Sequence, residues 1–141
     1  MKTVLMTIDL SEEQGSLALL EAALVLVRHH GARLHVVSVL PSFGLPQVSG
    51  HFREGFEKEA LKQFGNALKQ WVKEHVPDDV EVHPHVLQGT IYDEVLRSAR
   101  KLSADVIVIG SHRPVLKDYL LGPNAARVVR HATCSVYVVR P

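Results

Sequence analysis

Cysteine, long apolar runs and an excess of either charge are all scarce in this chain of 141 residues. Its single cysteine, Cys134, has no partner for an internal disulfide, which is typical of a reducing compartment, and we expect a cytoplasmic protein. The longest dense apolar stretch, residues 17–27, is interrupted by Glu21, and Asp9 ends the apolar start of the chain before the core of a signal peptide has formed. The sequence therefore predicts neither export nor a membrane span.

Neither sign of charge is in excess, because the chain has 16 Lys and Arg residues and 15 Asp and Glu residues, for a formal net charge of +1. Both signs are mixed along the chain, so nothing indicates electrostatic capture of nucleic acid or of an anionic membrane. Hydrophobic residues make up 46% and charged residues 22%, as in ordinary globular proteins. We expect residues 1–141 to form a single domain, since domains of about 100 to 200 residues leave no room for a second.

Apolar, β-branched segments alternate with segments of helical periodicity. The first, residues 3–8, contains no turn residue and is typical of a strand buried on both faces. Ser11 and Gln14 have the spacing of a capping box, which predicts a helix that starts at Ser11 and ends at Gly31. The same alternation predicts further strands at 33–40, 80–87, 104–110 and 135–139 and further helices from Phe52 onward, after Thr90 and at 124–131, with Pro84 marking 80–87 as an edge strand.

Strands joined through helices pair in parallel, with right-handed crossovers. The predicted fold class is therefore α/β, a three-layer sandwich with a five-stranded parallel sheet in the order 3-2-1-4-5. In this order the first strand, which leads into Asp9, lies beside the fourth, which ends at Gly110. Such sheets bind ligands at the carboxyl ends of their strands where the winding reverses, so a site is expected between these residues. Residues 41–50 are predicted to form the longest loop, and loops of this length are often functional.

Two glycine-rich phosphate motifs are absent. The first βα turn, residues 9–13, contains no glycine, which rules against a G-x-G-x-x-G dinucleotide fingerprint, and no G-x-x-x-x-G-K-[ST] occurs. A different anion site is indicated later, because Gly110 and Gly122 permit close backbone approach and residues 111–113 supply donors. The start of the helix after Gly122 would add the positive end of its dipole. The same glycines also suit plain turns, so the local pattern leaves both interpretations open.

Four segments follow one another in a specific order: Thr7-Ile8-Asp9-Leu10-Ser11, residues 104–112, Leu120-Leu121-Gly122 and residues 134–140. With them the whole chain resembles the universal stress protein family, and residues 111–132 look most like its small single-domain branch of F and G type. The resemblance implies a Rossmann-like fold of the adenine nucleotide alpha hydrolase type and a homodimer. It also implies an ATP-binding protein that acts as a nucleotide-dependent regulatory or protective module in the stress response. Such a protein is not primarily an enzyme, and slow ATP hydrolysis stays open.

Many members of that family bind ATP through a pattern G-x2-G-x9-G-[ST], whose first and last glycines correspond to Gly110 and Gly122. Arg113 stands in place of the middle glycine, eight rather than nine residues before Gly122, and Pro123 replaces the final Ser or Thr. The arginine form is typical of the F and G branch. Pro123 is the more serious departure, since proline has no amide hydrogen to donate to a phosphate.

The same resemblance implies roles for single residues. Asp9 would accept hydrogen bonds from the ribose or adenine, Ile8 and Val39 would contact the base, and Asn124 would lie at the phosphates together with Arg113. On local sequence alone, Asp9 is equally suited to accept from amides of its own turn, and Asn124 to cap a helix. ATP, with or without Mg²⁺, is the expected cofactor. The predicted binding residues are Thr7, Ile8, Asp9, Ser11, Val39, Ile109, Gly110, Ser111, His112, Arg113, Gly122, Pro123, Asn124, Ser135 and Val136.

Histidine and serine invite other chemistry. His83 and His85 share one face of a strand, but two side chains make no structural metal site, so no metal ligand is predicted. Ser111 and His112 are adjacent and lack the G-x-S-x-G elbow of a hydrolase, so no catalytic residue is predicted.

The last strand is rich in valine and lies at an edge, which needs a cover. Pairing of residues 136–139 with a second copy is a simple solution and predicts a homodimer. Two alternatives to the ATP-binding protein stay open. One is a nucleotide-independent dimeric interaction protein with a degenerate site, and the other is an enzyme such as a nucleotidyl transferase on the related fold.

Overall fold

The computed structural model describes residues 1–40, 50–111 and 121–140, with residues 50–54 described by their backbone alone. Strand and helix alternate throughout. The bounds are β1 Thr3–Thr7, α1 Glu13–His30, β2 Arg33–Leu40, α2 Gly50–His75, β3 Val82–Gln88, α3 Ile91–Lys101, β4 Val106–Gly110, α4 Pro123–His131 and β5 Ser135–Val139. These strands form one parallel sheet in the order β3-β2-β1-β4-β5, which confirms the predicted topology.

Helices α1 and α2 cover one face of the sheet. Val4 and Met6 of β1 and Leu34 of β2 pack there in one apolar cluster with Leu20 of α1 and Leu68 of α2. All of them are 4% exposed or less. Removing a side chain of this size from water contributes roughly 1.5–3 kcal/mol, so this layer is a main source of stability.

Helices α3 and α4 cover the opposite face. Leu5, Val37 and Ile107 of the central strands pack there with Val95 of α3 and Val128 of α4. Successive side chains of a strand point to opposite faces, so the continuous apolar sequence of β1 requires cover on both sides. The result is the three-layer arrangement that the sequence predicts.

The start of α1 differs from the prediction. The helix begins at Glu13, its preceding residue is Glu12, and no side chain caps it. Ser11 instead donates its backbone N–H and its hydroxyl to Oδ1 of Asp9, at 2.9 and 2.6 Å. The predicted capping box is wrong because an Asp two residues earlier competes for Ser11 and closes an Asx turn. The end of the helix is confirmed, with Gly31 in the left-handed conformation at a φ of 61°.

The remaining predicted bounds agree with the structure to within two residues. β3 begins at Val82, β4 begins at Val106, and α4 begins at Pro123, where its ring occupies the first helical position. β3 pairs with β2 alone and β5 with β4 alone among the described residues, so both are sheet edges. Of the predicted loop at 41–50, only Gly50 lies inside the described residues, and α2 begins there.

Candidate functional site

A cavity of about 810 Å³ lies at the carboxyl ends of β1 and β4. Its walls include the start of α1 on one side and the start of α4 on the other. A volume between about 300 and 1,000 Å³ is typical of sites for small molecules. The position is the one at which doubly wound sheets bind ligands, because adjacent strands there lead into helices on opposite faces.

Apolar side chains line the deeper wall of the cavity. Ile8 follows β1, Val37 and Val39 belong to β2, and Ile109 belongs to β4. Ile8, Val37 and Ile109 are buried, whereas Val39 is half-buried. A largely apolar pocket with a few polar groups is typical of sites for small organic molecules.

Asp9 is exposed and lines the cavity at the end of β1. Its Oδ1 atom accepts both hydrogen bonds of Ser11, and its backbone carbonyl accepts the hydroxyl of Ser16 at 2.8 Å. The turn therefore holds the carboxylate in one orientation toward the cavity wall. The local role of Asp9 and a ligand-binding role are compatible, since a carboxylate can accept about four hydrogen bonds.

The chain around Gly122 is tied to the ends of two strands. The N–H of Ser111 donates to the carbonyl of Val139 at 3.0 Å, and the N–H of Gly122 donates to the carbonyl of Ser111 at 3.3 Å. Ser111 is 7% exposed and is not among the residues that line the cavity. Its backbone thus positions Gly122 rather than lining the cavity.

The first turn of α4 borders the cavity with Pro123, Asn124 and Ala125. Pro123 has no N–H, and the N–H of Ala126 donates to the carbonyl of Gly122 at 2.9 Å. The N–H groups of Asn124 and Ala125 fall in the first turn, where a helix provides no acceptor for them. They carry the positive end of the helix dipole, which favours an anionic group.

The structure brings most of the predicted binding residues together. Those that line the cavity are Thr7, Ile8, Asp9, Ser11, Val39, Ile109, Gly110, Gly122, Pro123 and Asn124. His112 and Arg113 lie outside the described residues.

Ser135 and Val136 do not reach the cavity. They begin β5 and pair with Val106 and Ile107 at the amino-terminal end of β4, whereas the cavity lies at the carboxyl end. The last residue of the same strand, Val139, lines the cavity instead. Parallel strands present only their carboxyl ends to such a crevice, so the start of β5 is excluded from it.

Several lining residues escaped the sequence analysis: Glu12, Gly15, Ser16, Leu19, Val37, Ser38, Phe64, Ile91, Val95, Ala125 and Val139. The places of Val37, Ser38 and Val139 at the cavity could have been predicted, because these residues lie toward the carboxyl ends of predicted strands. Those of Phe64 and Val95 could not, since their helical periodicity predicts only that they face the sheet. Their position at the cavity depends on where α2 and α3 cross it.

Asp9 and Glu12 are the only charged side chains among the described residues that line the cavity. A negatively charged ligand group would therefore be attracted within this part of the site by backbone amides of α4. In the described part of the chain, no group of three or more His, Cys, Asp or Glu side chains is arranged to hold a metal ion.

Comparison with known proteins agrees with this architecture. The family model of the universal stress proteins matches residues 1–140. The chain belongs to the universal stress protein family. A relative with this family name, universal stress protein G of Escherichia coli O157:H7, is 35% identical over 142 aligned residues, which cover 99% of each chain.

Several solved structures share the fold. Hypothetical protein MJ0577 is similar with a TM-score of 0.74 and 21% identity, covering 99% of this chain and 96% of that one. A universal stress protein in complex with cAMP has a TM-score of 0.63 and 18% identity, covering 99% and 96%. One from Archaeoglobus fulgidus in complex with dAMP has a TM-score of 0.62 and 22% identity, covering 98% and 97%.

The single cysteine of this universal stress protein lies away from the cavity. Cys134 is half-buried and packs against the cluster under α3 and α4, and burial raises the pKa of its thiol. A thiol with a raised pKa is a poor nucleophile, so packing accounts for this residue.

In the described segments, no helix is both long and apolar enough to cross a bilayer.

Proposed function

We propose that this universal stress protein binds ATP in the cavity between β1 and β4 and acts as a nucleotide-dependent regulatory or protective module. The carrying observation is the joint lining of one cavity by Asp9, the apolar ends of β2 and β4, and the first turn of α4. The cAMP and dAMP complexes of two proteins with the same fold support an adenine nucleotide as the ligand class.

The cavity divides into regions that suit the parts of a nucleotide. Ile8, Val37 and Ile109 offer an apolar surface to the base, and the carboxylate of Asp9 offers an acceptor to ribose hydroxyls. The amides of Asn124 and Ala125 offer donors to phosphate oxygens. Each group on this chain binds or orients, and the proposal assigns none of them a proton-transfer step. We therefore propose a binding protein rather than an enzyme.

Binding is tested by isothermal titration with ATP, adenosine and GTP, with Mg²⁺ present. Val39→Phe fills the half-buried apolar wall and is expected to weaken ATP at least tenfold. Val25→Phe is the matched control, because Val25 is 66% exposed on α1 and does not line the cavity. Saturation at about 100 times Kd should stabilise the folded protein by about 2.7 kcal/mol. Absence of both heat and thermal stabilisation with millimolar Mg-ATP contradicts the proposal.

A second function is favoured by one observation. Pro123 occupies the first position of α4 and removes one of the amides that a phosphate would use. A site without that donor suits a nucleotide-independent interaction protein, in which the dimer surface carries the function. Native mass spectrometry of the freshly purified protein separates the two, since a released adenine nucleotide supports the first and a ligand-free dimer without an ATP response supports the second.

We further propose a homodimer that forms through residues 136–139 of β5. Tyr137 is 45% exposed on this edge strand, which pairs only with β4 among the described residues. Covering the edge with a second copy satisfies its outer backbone groups. Light scattering should give a dimeric mass at micromolar concentration, and Tyr137→Asp should shift it toward the monomer. A monomeric mass for the unchanged protein contradicts this assembly. We also propose that residues 1–141 form one domain and that the protein acts in the cytoplasm.

A further inference from the structure

A histidine cluster lies on β2 and β3, on the sheet face that α3 covers. His35 is the register partner of His83, and its ring centroid lies 4.9 and 5.0 Å from those of His83 and His85, with an interplanar angle of 23° in both pairs. His35 is 8% exposed, whereas His83 is exposed and His85 is half-buried. None of these residues lines the cavity.

The contact between two of these rings depends on their protons. Nδ1 of His35 lies 2.8 Å from Nε2 of His85, a hydrogen bond that requires one nitrogen to donate and the other to accept. One ring can become charged while this bond persists, because an imidazolium can donate to a neutral imidazole. Two imidazolium rings would direct two N–H groups at each other, so the second proton breaks the bond.

The charges around the cluster act in both directions. Arg33 on β2 lowers the pKa of His35, and Lys101 on α3 lowers the pKa of His85. Glu81, the residue before β3, raises the pKa of His35, and its carboxylate is hydrogen-bonded to His83 at 2.9 Å. Burial, followed by the neighbouring His85 and His83, lowers the pKa of His35 from 6.5 to about 4. Burial also lowers the pKa of His85.

We propose that the hydrogen bond between His35 and His85 helps to hold edge strand β3 on β2. Protonation of the cluster at acidic pH breaks this bond and lets β3 detach from β2. β3 has no strand on its other side among the described residues, so it is held by its cross-strand contacts with β2 and by Val82 and Val86, which pack on the cluster under α2. Detachment of β3 would also remove the strand neighbour of a cavity residue, since Leu87 of β3 pairs with Val39.

Amide hydrogen exchange of the full chain tests the proposal. The open state of β3 lets both imidazoles recover ordinary pKa values, so its population should rise between about 5-fold and 30-fold from pH 7.5 to pH 5. After correction for intrinsic exchange, the amides of residues 82–88 other than Pro84 should lose protection by that factor, while those of β1 and β4 keep theirs. Equal loss in all strands, or no loss in β3, overturns the proposal.

Variants and a direct titration complete the test. Replacing His35 and His85 together, as His35→Phe with His85→Leu, should abolish the pH dependence of β3 exchange. The control is His29→Gln, which changes an exposed histidine at the end of α1. This variant should keep the pH dependence of β3 exchange. If the double variant fails to fold, NMR titration of the unchanged protein decides. Titration of both His35 and His85 near pH 6.5 with β3 protected overturns the proposal.

Discussion

Replacement of Pro123 by serine should strengthen the binding of ATP selectively. In the present chain, the first turn of α4 offers a phosphate the N–H groups of Asn124 and Ala125, because Pro123 has none and Ala126 donates to Gly122. Pro123→Ser adds a third amide and a hydroxyl at the cavity wall. The change therefore alters the phosphate end of the site and leaves the apolar end untouched.

The smallest expected effect follows from one of the two added donors. A hydrogen bond to a charged group contributes about 1.5–3 kcal/mol, and about 1.4 kcal/mol corresponds to tenfold in affinity. We expect ATP to bind at least tenfold more tightly to the variant, while the affinity for adenosine changes less than twofold. Loss of the fixed φ of proline should cost about 0.4–1 kcal/mol of folding stability, since serine leaves the unfolded chain more freedom.

Isothermal titration with ATP, AMP and adenosine measures the selectivity. Pro77→Ser is the control, because Pro77 lies in the turn after α2, where its carbonyl accepts the N–H of Val80 at 3.1 Å, and does not line the cavity. Equal gains for ATP and adenosine, or an unchanged affinity for ATP, refute the assignment of phosphate to the start of α4. ATP binding that appears only in the variant supports the nucleotide-independent function of the natural chain.

Three further predictions concern stability. Leu5→Ala removes a fully buried side chain between α3 and the central strands and should lower the free energy of unfolding by about 2–5 kcal/mol in urea titrations, and a loss below about 1 kcal/mol would contradict the burial. Gly31→Ala should cost about 1 kcal/mol and Gly31→Asn less, because a Cβ there meets nothing within 4 Å and only the φ of 61° penalises it; equal costs for both would be inconsistent with this reason. The pKa of His35 is about 4 in the folded protein against an ordinary value of 6.5, so the unfolded chain binds more protons between pH 4 and 6.5, and stability falls as pH decreases through this range. After allowance for solvent screening, the loss that His35 contributes at pH 5 should be about 1–2 kcal/mol, and His35→Phe should remove that part.

Local pattern predicted most of the fold because each element has a distinct period. Residues 33–40 and 135–139 coincide with the observed strands, and Gly31 ends α1 as expected. The prediction of a capping box at Ser11 was wrong because a serine at the start of a helix can either cap the helix or bond within the preceding turn. Ser11 suits both, and the carboxylate of Asp9 decided between them.

The candidate site was predictable only in part. Topology brings the ends of β1 and β4 together, so Asp9 and Gly110 were correctly expected near one another. Ser135 and Val136 came from the resemblance at the end of the chain, which does not distinguish the start of a strand from its carboxyl end. Phe64 reaches the cavity from the middle of α2, a position that depends on how the helix crosses the sheet.

The histidine cluster shows the same division. The spacing of His83 and His85 by two residues predicts that both lie on one face of a strand, since side chains alternate along it. Nothing in the spacing indicates His35, which is 50 residues away from His85. Only the parallel register of β2 and β3 brings these rings within hydrogen-bonding distance.

The sequence by itself determined the elements, their parallel pairing and the ends of the strands at which a ligand is expected, because period, turn residues and crossover handedness are local or topological properties. Tertiary structure decided which side chains share a cavity, which carbonyls Ser111 and Gly122 bond, and which histidines meet. Those outcomes depend on strand register and helix crossing, and both are set by how apolar side chains pack on the two faces of the sheet.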